Sequence, residues 1–242
     1  MQSSNPVFRN DPFAKAFPAS SAMTLGGTIR KTAFLLALAL ATGAATWTQF
    51  AKNDAVMVGV AVSVLIAFVL SLIISFKPTW AGVLAPVYAL AEGVVLGGIS
   101  AYYNQKYPGI AFAAAGGTAA TLAGLLFAYQ VGLIRATEGF KRGMIVATLG
   151  IALFYLVTMV LGLFKIQVPG VFDSGMFGIG FSLVVVVIAA LNLVLDFDFV
   201  EQGIRYGAPK HMEWYAAFGL MVTLVWLYVE ILRLLSKLSN RR

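Results

Sequence analysis

The chain has 242 residues, of which 60% are apolar and 11% are charged. A soluble domain is about half apolar and about a quarter charged, so this composition indicates an integral membrane protein. The formal net charge is +7, but the 17 Lys and Arg residues are spread over short loops and tails, which argues against a nucleic-acid partner. Because the chain has no cysteine, thiol catalysis, thiolate metal sites and disulfides are excluded.

The N-terminal region, residues 1–31, is polar and rich in small residues, and we expect a mobile tail with Thr24 as a helix cap. Apolar runs follow, each about as long as the roughly 20 residues that a spanning helix needs. They do not alternate as the strands of a barrel do. Residues 32–242 are therefore predicted to form an all-α bundle of seven transmembrane helices. The predicted spans are residues 32–50, 55–76, 80–102, 109–134, 144–164, 176–200 and 214–236.

Small residues recur at every fourth position in three of these spans. Such spacing lets helix backbones approach closely in lipid, so we predict helix packing there rather than a ligand site. The residues are Gly93 and Gly97 in the third span, Gly116, Ala120 and Gly124 in the fourth, and Gly178 and Ser182 in the sixth.

The basic residues give a weak signal for orientation. With the N-terminus inside, 10 basic residues lie on the inner side and 7 on the outer side, which favours that orientation. If the last segment did not cross fully, the tail's cations would move inside and the balance would become 14 against 3. The sequence leaves both arrangements open.

Acidic residues inside the spans are candidates for function, because an ionisable group at mid-membrane costs several kcal/mol. Glu92 lies near the middle of the third span. It is predicted either to line an ion path or to be a neutral acid hydrogen-bonded across a helix interface.

The sixth span ends in three carboxylates, Asp196, Asp198 and Glu201. Asp196 and Asp198 lie about 200° apart around a helix, so they cannot face one partner unless the helix loosens. Glu201 is one turn before Arg205, which predicts an ordinary ion pair at a solvated helix end. Asp196 is the stronger candidate for a pore or proton role.

The last span carries Glu230, followed one turn later by Arg233. Both side chains could reach the membrane interface at the far end of that helix. The alternative is that Glu230 contributes to an ion path. Metalloprotease, nucleophile-elbow and phosphate-loop motifs do not occur in the sequence, so we do not expect an enzyme and expect no cofactor.

Several stretches resemble a known family. The tail "SSNPVF", the third-span "LAEGVVLGGISA" and the C-terminal "AALNLVLDFDFVEQG" with "GAPKHMEWYAAFGLMVTLVWLYVEILRLLSKL" are similar to the bacterial branch of the Bax inhibitor family, the transmembrane Bax inhibitor motif proteins. The resemblance implies seven helices with the last one central. It also implies a calcium-permeable leak gated by protons, in a bacterial cytoplasmic (inner) membrane.

The resemblance further implies a site. In better-known relatives an aspartate ending the sixth span pairs with one in the last helix; Asp196 matches the first, with Asp198 a close alternative. Two carboxylates that share a site cannot both ionise cheaply, so such a pair responds to pH, and its oxygens suit calcium, a hard cation. The second aspartate is expected among Met221, Val222 and Thr223, and none of these is acidic. The second span also lacks the arginine found in some relatives.

The acids that remain are Asp196, Asp198, Glu92 and Glu230. If they face one cavity, they form a spaced path for cations, with Asp196 and Asp198 as transient calcium ligands. Expected partners are then the lipid bilayer and calcium ions. The alternative function is a non-conducting regulator that binds other membrane proteins, such as a quality-control protease. An intramembrane hydrolase would need two acids at matching depth on adjacent helices.

Overall fold

The computed structural model describes residues 22–50, 55–165 and 173–241, and long helices occupy most of these ranges. Each is long and apolar enough to cross a membrane. The predicted all-helical membrane bundle is therefore confirmed. The helices are α1 (Leu25–Phe50), α2 (Ala55–Phe76), α3 (Ala81–Lys106), α4 (Ile110–Gln130), α5 (Glu138–Leu163), α6 (Met176–Arg205) and α7 (Met212–Ser239).

The last helix is the centre of the bundle. Fifteen of its residues are buried, against two each in α2 and α5, which lie at the periphery. α7 packs against α1, α3, α4 and α6, and a hydrogen bond from Tyr155 to Glu230 connects it to α5. The 28 residues of α7 span about 42 Å at 1.5 Å per residue, so its two ends lie at opposite faces of the bundle.

Several helices extend beyond the apolar runs that predicted them. α1 begins at Leu25 rather than at residue 32, because Thr24 caps it by accepting a hydrogen bond from the Gly27 amide at 3.0 Å. α5 begins at Glu138 rather than at residue 144, and the side chain of Thr137 caps it. Charged residues interrupt an apolar run without interrupting a helix, so hydropathy places these starts too late.

The residues just before α1 are attached to the loop between α6 and α7. Ala22 forms an isolated antiparallel bridge with Pro209, and the Met23 amide donates to the Ala208 carbonyl at 2.7 Å. Met23 is buried. Residues 22–31, which fall within the predicted tail, are thus packed against the bundle or part of α1. The remainder of that tail, residues 1–21, lies outside the described residues.

Small residues create the closest helix contact, between α1 and α3. A Cβ on Gly97 would lie 2.3 Å from the Gly43 carbonyl oxygen, so only glycine permits this approach. The pattern in the third span is therefore a packing motif, as predicted. In the fourth span the expectation is wrong for Gly116 and Gly124, because a Cβ there would meet nothing within 4 Å among the described residues.

Candidate ion site between α2, α6 and α7

Of the four predicted acids, Asp196 alone has a buried carboxylate oxygen that lacks a hydrogen-bond partner among the described residues. It lies nine residues before the end of α6 at Arg205, about 14 Å along the axis. The Thr223 hydroxyl of α7 lies beside its carboxylate. The Oδ2 atom of Asp196 is buried and has no hydrogen-bond partner among the described residues. Buried polar atoms are nearly always satisfied, so an exception of this kind calls for a functional explanation.

An open cleft of about 520 Å³ lies beside this carboxylate, between α2, α6 and α7. Asp196 forms part of its wall, together with the hydroxyl-bearing residues Ser71 and Ser75 of α2 and Thr223 of α7. The remaining lining is mostly aromatic and aliphatic. Thr223 is one of the three positions at which the resemblance places a second acid, and here it supplies a hydroxyl group to Asp196.

The other acids at the end of α6 face elsewhere. Asp198 forms an ion pair with Lys141 of α5 at 2.8 Å. Glu201 forms an ion pair with Arg205 at 2.7 Å and accepts a hydrogen bond from the Tyr129 hydroxyl of α4 at 2.6 Å. The Glu201–Arg205 pair is confirmed. Asp198 is not among the described residues that line the cleft, so the structure does not bring it to a common ligand with Asp196.

Glu92 has a partner on its own helix. The Tyr88 hydroxyl, one turn earlier on α3, lies beside its carboxylate. The Tyr88 ring packs edge-on against Phe218 of α7, with ring centroids 5.0 Å apart. A neutral acid bonded across the helix interface was the expected alternative, and the neighbouring hydroxyl belongs to α3 itself. The role of Glu92 in an ion path stays a prediction.

Glu230 is fully enclosed, with 1% of its surface exposed. It forms an ion pair with Arg233 at 2.9 Å and accepts a hydrogen bond from the Tyr155 hydroxyl of α5 at 3.1 Å. The Arg233 guanidinium also lies over the Tyr155 ring, 5.0 Å from its centroid. Glu230 is therefore enclosed in the protein, whereas the sequence suggested that its side chain could reach the membrane interface. Its role in an ion path stays a prediction.

The chain matches the family model described as Bax inhibitor 1 like over residues 5–240. The protein belongs to the Bax inhibitor 1 like family. No curated protein and no solved structure matches it. The family resemblance read from the C-terminal third is thereby confirmed, and it extends over nearly every described residue of this Bax inhibitor 1 like protein.

The sequence reading missed a second buried acid, Glu213, in the first turn of α7. It is 1% exposed, forms an ion pair with Lys31 of α1 and accepts two hydrogen bonds from Thr24, at 2.8 and 2.9 Å. A Cβ on Gly27 would lie 2.2 Å from its carboxylate, so the start of α1 needs glycine there. The available signal was a carboxylate at a helix N-terminus, where the helix dipole stabilises it.

Lys237 was also misread, as one of the cations at the C-terminal end of the chain. It is 5% exposed, and its amine donates to the Gly178 carbonyl at 2.9 Å and to the Ser182 hydroxyl at 2.8 Å. The small residues of the sixth span thus admit a lysine from α7. Together with Glu230, Arg233 and Tyr155, Lys237 makes this end of the α6–α7 pair a polar cluster.

The described acids do not gather into a metal cage. Within residues 22–50, 55–165 and 173–241 there is no group of three or more His, Cys, Asp or Glu side chains that could hold a metal ion. Calcium sites of high affinity use six to eight oxygen ligands, roughly, with several carboxylates.

Proposed function

We propose that the protein is a passive cation leak that admits calcium and responds to pH, with Asp196 on the conduction path. The observation that carries the proposal is the buried Oδ2 atom of Asp196, which lacks a hydrogen-bond partner among the described residues and belongs to the wall of an open cleft. A carboxylate held without a counter-ion in a membrane span attracts cations. The proposed location is a bacterial cytoplasmic membrane, and the proposal includes no enzymatic activity and no cofactor.

Within this proposal the four predicted acids have unequal parts. Asp196 has a buried oxygen without a hydrogen-bond partner in the part of the chain that the structure describes. Asp198 and Glu230 already have cationic partners, Lys141 and Arg233, which reduces their attraction for a passing ion. Glu92 has a phenol beside it rather than a cation and ranks second to Asp196. Conduction also needs each site to release what it binds, which a single carboxylate does more readily than a cage.

The test is calcium flux into liposomes that contain the purified protein and a trapped calcium dye. Wild-type protein is expected to raise the flux above that of empty liposomes, and Asp196→Asn is expected to reduce it strongly. The matched control is Glu201→Gln, one and a half turns further along the same helix, because that acid is half exposed and already paired with Arg205. Equal loss of flux in both variants would contradict a specific role for Asp196.

The same liposomes test the response to pH. Flux is expected to be higher at about pH 8 than at about pH 6, because an ionised carboxylate attracts cations and a protonated one does not. The Asp196→Asn variant is expected to lose this difference. A pH dependence that persists in the variant would assign the proton response to another group.

The second candidate is a non-conducting regulator that binds other membrane proteins. It is favoured by the anchoring of Ala22 and Met23 on the loop between α6 and α7, which fixes this loop and the residues before α1 as one surface of the bundle. We propose this surface as the contact for a partner such as a quality-control protease. Wild-type flux no greater than that of empty liposomes at both pH values would favour this candidate.

A further inference from the structure

The cleft beside Asp196 has an unusual balance of charge and oxygen atoms. Among the described residues that line it, Asp196 alone is charged at neutral pH, and Ser71, Ser75 and Thr223 add neutral hydroxyl groups. Tyr215 also lies in the wall, near the start of α7. A cation in this cleft would meet one negative charge and several uncharged oxygens.

The two serine hydroxyls present their oxygen atoms as acceptors. The Ser71 hydroxyl donates its proton to the Phe68 carbonyl at 2.8 Å, and the Ser75 hydroxyl donates to the Ser71 carbonyl at 2.7 Å. A hydroxyl group has one proton and two lone pairs, so what remains for the cleft is acceptor capacity. Hydroxyl oxygens in that state replace part of the water shell of a cation and do not serve as anion donors.

The charge balance decides which cations the site suits. One carboxylate neutralises a monovalent cation and leaves half the charge of a divalent one uncompensated. The penalty for removing water from an ion is larger for higher charge, and calcium sites offset it by adding carboxylates. The described cleft offers no second carboxylate.

We propose that Ser71 and Ser75 are neutral oxygen ligands that act with Asp196 in a low-charge cation site, which passes monovalent cations at least as readily as calcium. Thr223 sets this ion preference, because it lies beside Asp196 in the wall of the same cleft and adds no charge to it. The inference rests on the proposed leak function and specifies which ions that leak carries.

The experiment compares potassium and calcium flux into liposomes loaded with a dye for each ion, with a protonophore present so that no diffusion potential limits either. Wild-type protein is expected to pass potassium at a rate equal to or above that of calcium. Thr223→Asp is expected to shift the calcium-to-potassium ratio several-fold toward calcium. Thr223→Asn, which adds no charge, is the matched control and is expected to leave the ratio unchanged.

The serines are tested with the Ser71→Ala/Ser75→Ala variant, which is expected to lower potassium flux several-fold. Ser63→Ala is the control, because Ser63 is on the same helix and is not one of the residues that line the cleft. Equal losses in both would overturn the assignment of the serines.

The outcomes separate the two proposals. Calcium flux without potassium flux in the wild type would overturn the inference and leave the calcium leak standing, and this result needs no variant to fold. Flux of neither ion would remove the leak itself. An unchanged ratio in a folded Thr223→Asp protein, with the wild type passing both ions, would overturn the role of Thr223.

Discussion

Two acids in the α6–α7 pair lie equally far from the C-terminal ends of their helices but differ in the partners of their carboxylates. Asp196 is nine residues from the end of α6 at Arg205, and Glu230 is nine residues from the end of α7 at Ser239. Glu230 has a guanidinium and a phenol as partners. Asp196 has one hydroxyl group, an unpartnered oxygen among the described residues, and an open cleft beside it. The two carboxylates therefore differ in counter-charge: among the described residues Glu230 has a cationic partner and Asp196 does not.

The neighbours of the two acids reinforce this difference. Near Glu230, the buried Lys237 and the Arg233 guanidinium connect α7 to α6 and α5 through polar contacts. Near Asp196, the helices present neutral hydroxyl groups to a cavity. The first arrangement holds three helices in a fixed register, and the second leaves room for an ion. We interpret the Glu230 end as a structural clamp and the Asp196 end as the site.

The largest expected effect is at the clamp. Glu230→Gln leaves Arg233 without its ionic partner, and it is expected to lower the free energy of unfolding by about 2 kcal/mol. Fully buried pairs lose roughly 3–5 kcal/mol, but the Arg233 side chain is 28% exposed, which reduces the penalty. Thermal unfolding in one detergent measures the change.

The control for the clamp is the Glu230→Gln/Arg233→Met double variant. Because it removes both charges, it is expected to recover part of the stability that Glu230→Gln loses. If Glu230→Gln unfolded at the wild-type temperature, the two ends of the helix pair would not differ in the way described.

A smaller effect of the opposite sign is expected at the site. Asp196→Asn removes a carboxylate that has no counter-ion within residues 22–50, 55–165 and 173–241, so the free energy of unfolding is expected to stay level or rise by up to about 1 kcal/mol. The same detergent measurement applies, with Glu201→Gln as the control. A loss of stability as large as that of Glu230→Gln would show that Asp196 is a structural acid as well.

The spans were predictable because each helix contains a long apolar run, and a run of apolar residues can be located in the sequence by its hydropathy. α2, for example, contains no charged residue, and it begins and ends at the predicted residues. Thr24, which was expected to cap a short helix before the first span, caps α1 itself. The start of α5 was not predicted, because Thr137 caps it upstream of the apolar run. Capping is a local signal that can be read from sequence, but hydropathy outweighed it.

The site was only partly predictable. The separation of Asp196 from Asp198 followed from helix periodicity and is borne out by their different partners. The Glu213–Lys31 pair and the burial of Lys237 depend on how helices far apart in sequence rotate against each other. A single sequence does not contain that rotation, so these residues looked like ordinary interfacial charges.

The most direct test of the account is whether water reaches the site but not the clamp. The chain has no cysteine, so single cysteines can be introduced at chosen positions. Ser75 lines the cleft, Val69 is an exposed residue of the same helix outside the cleft lining, and Ser182 belongs to the clamp. A membrane-impermeant cationic thiol reagent reacts with the thiolate, which requires water. The account predicts rapid labelling of Ser75→Cys in membranes, with Val69→Cys and Ser182→Cys unreactive. Labelling of Ser182→Cys with Ser75→Cys protected would contradict it.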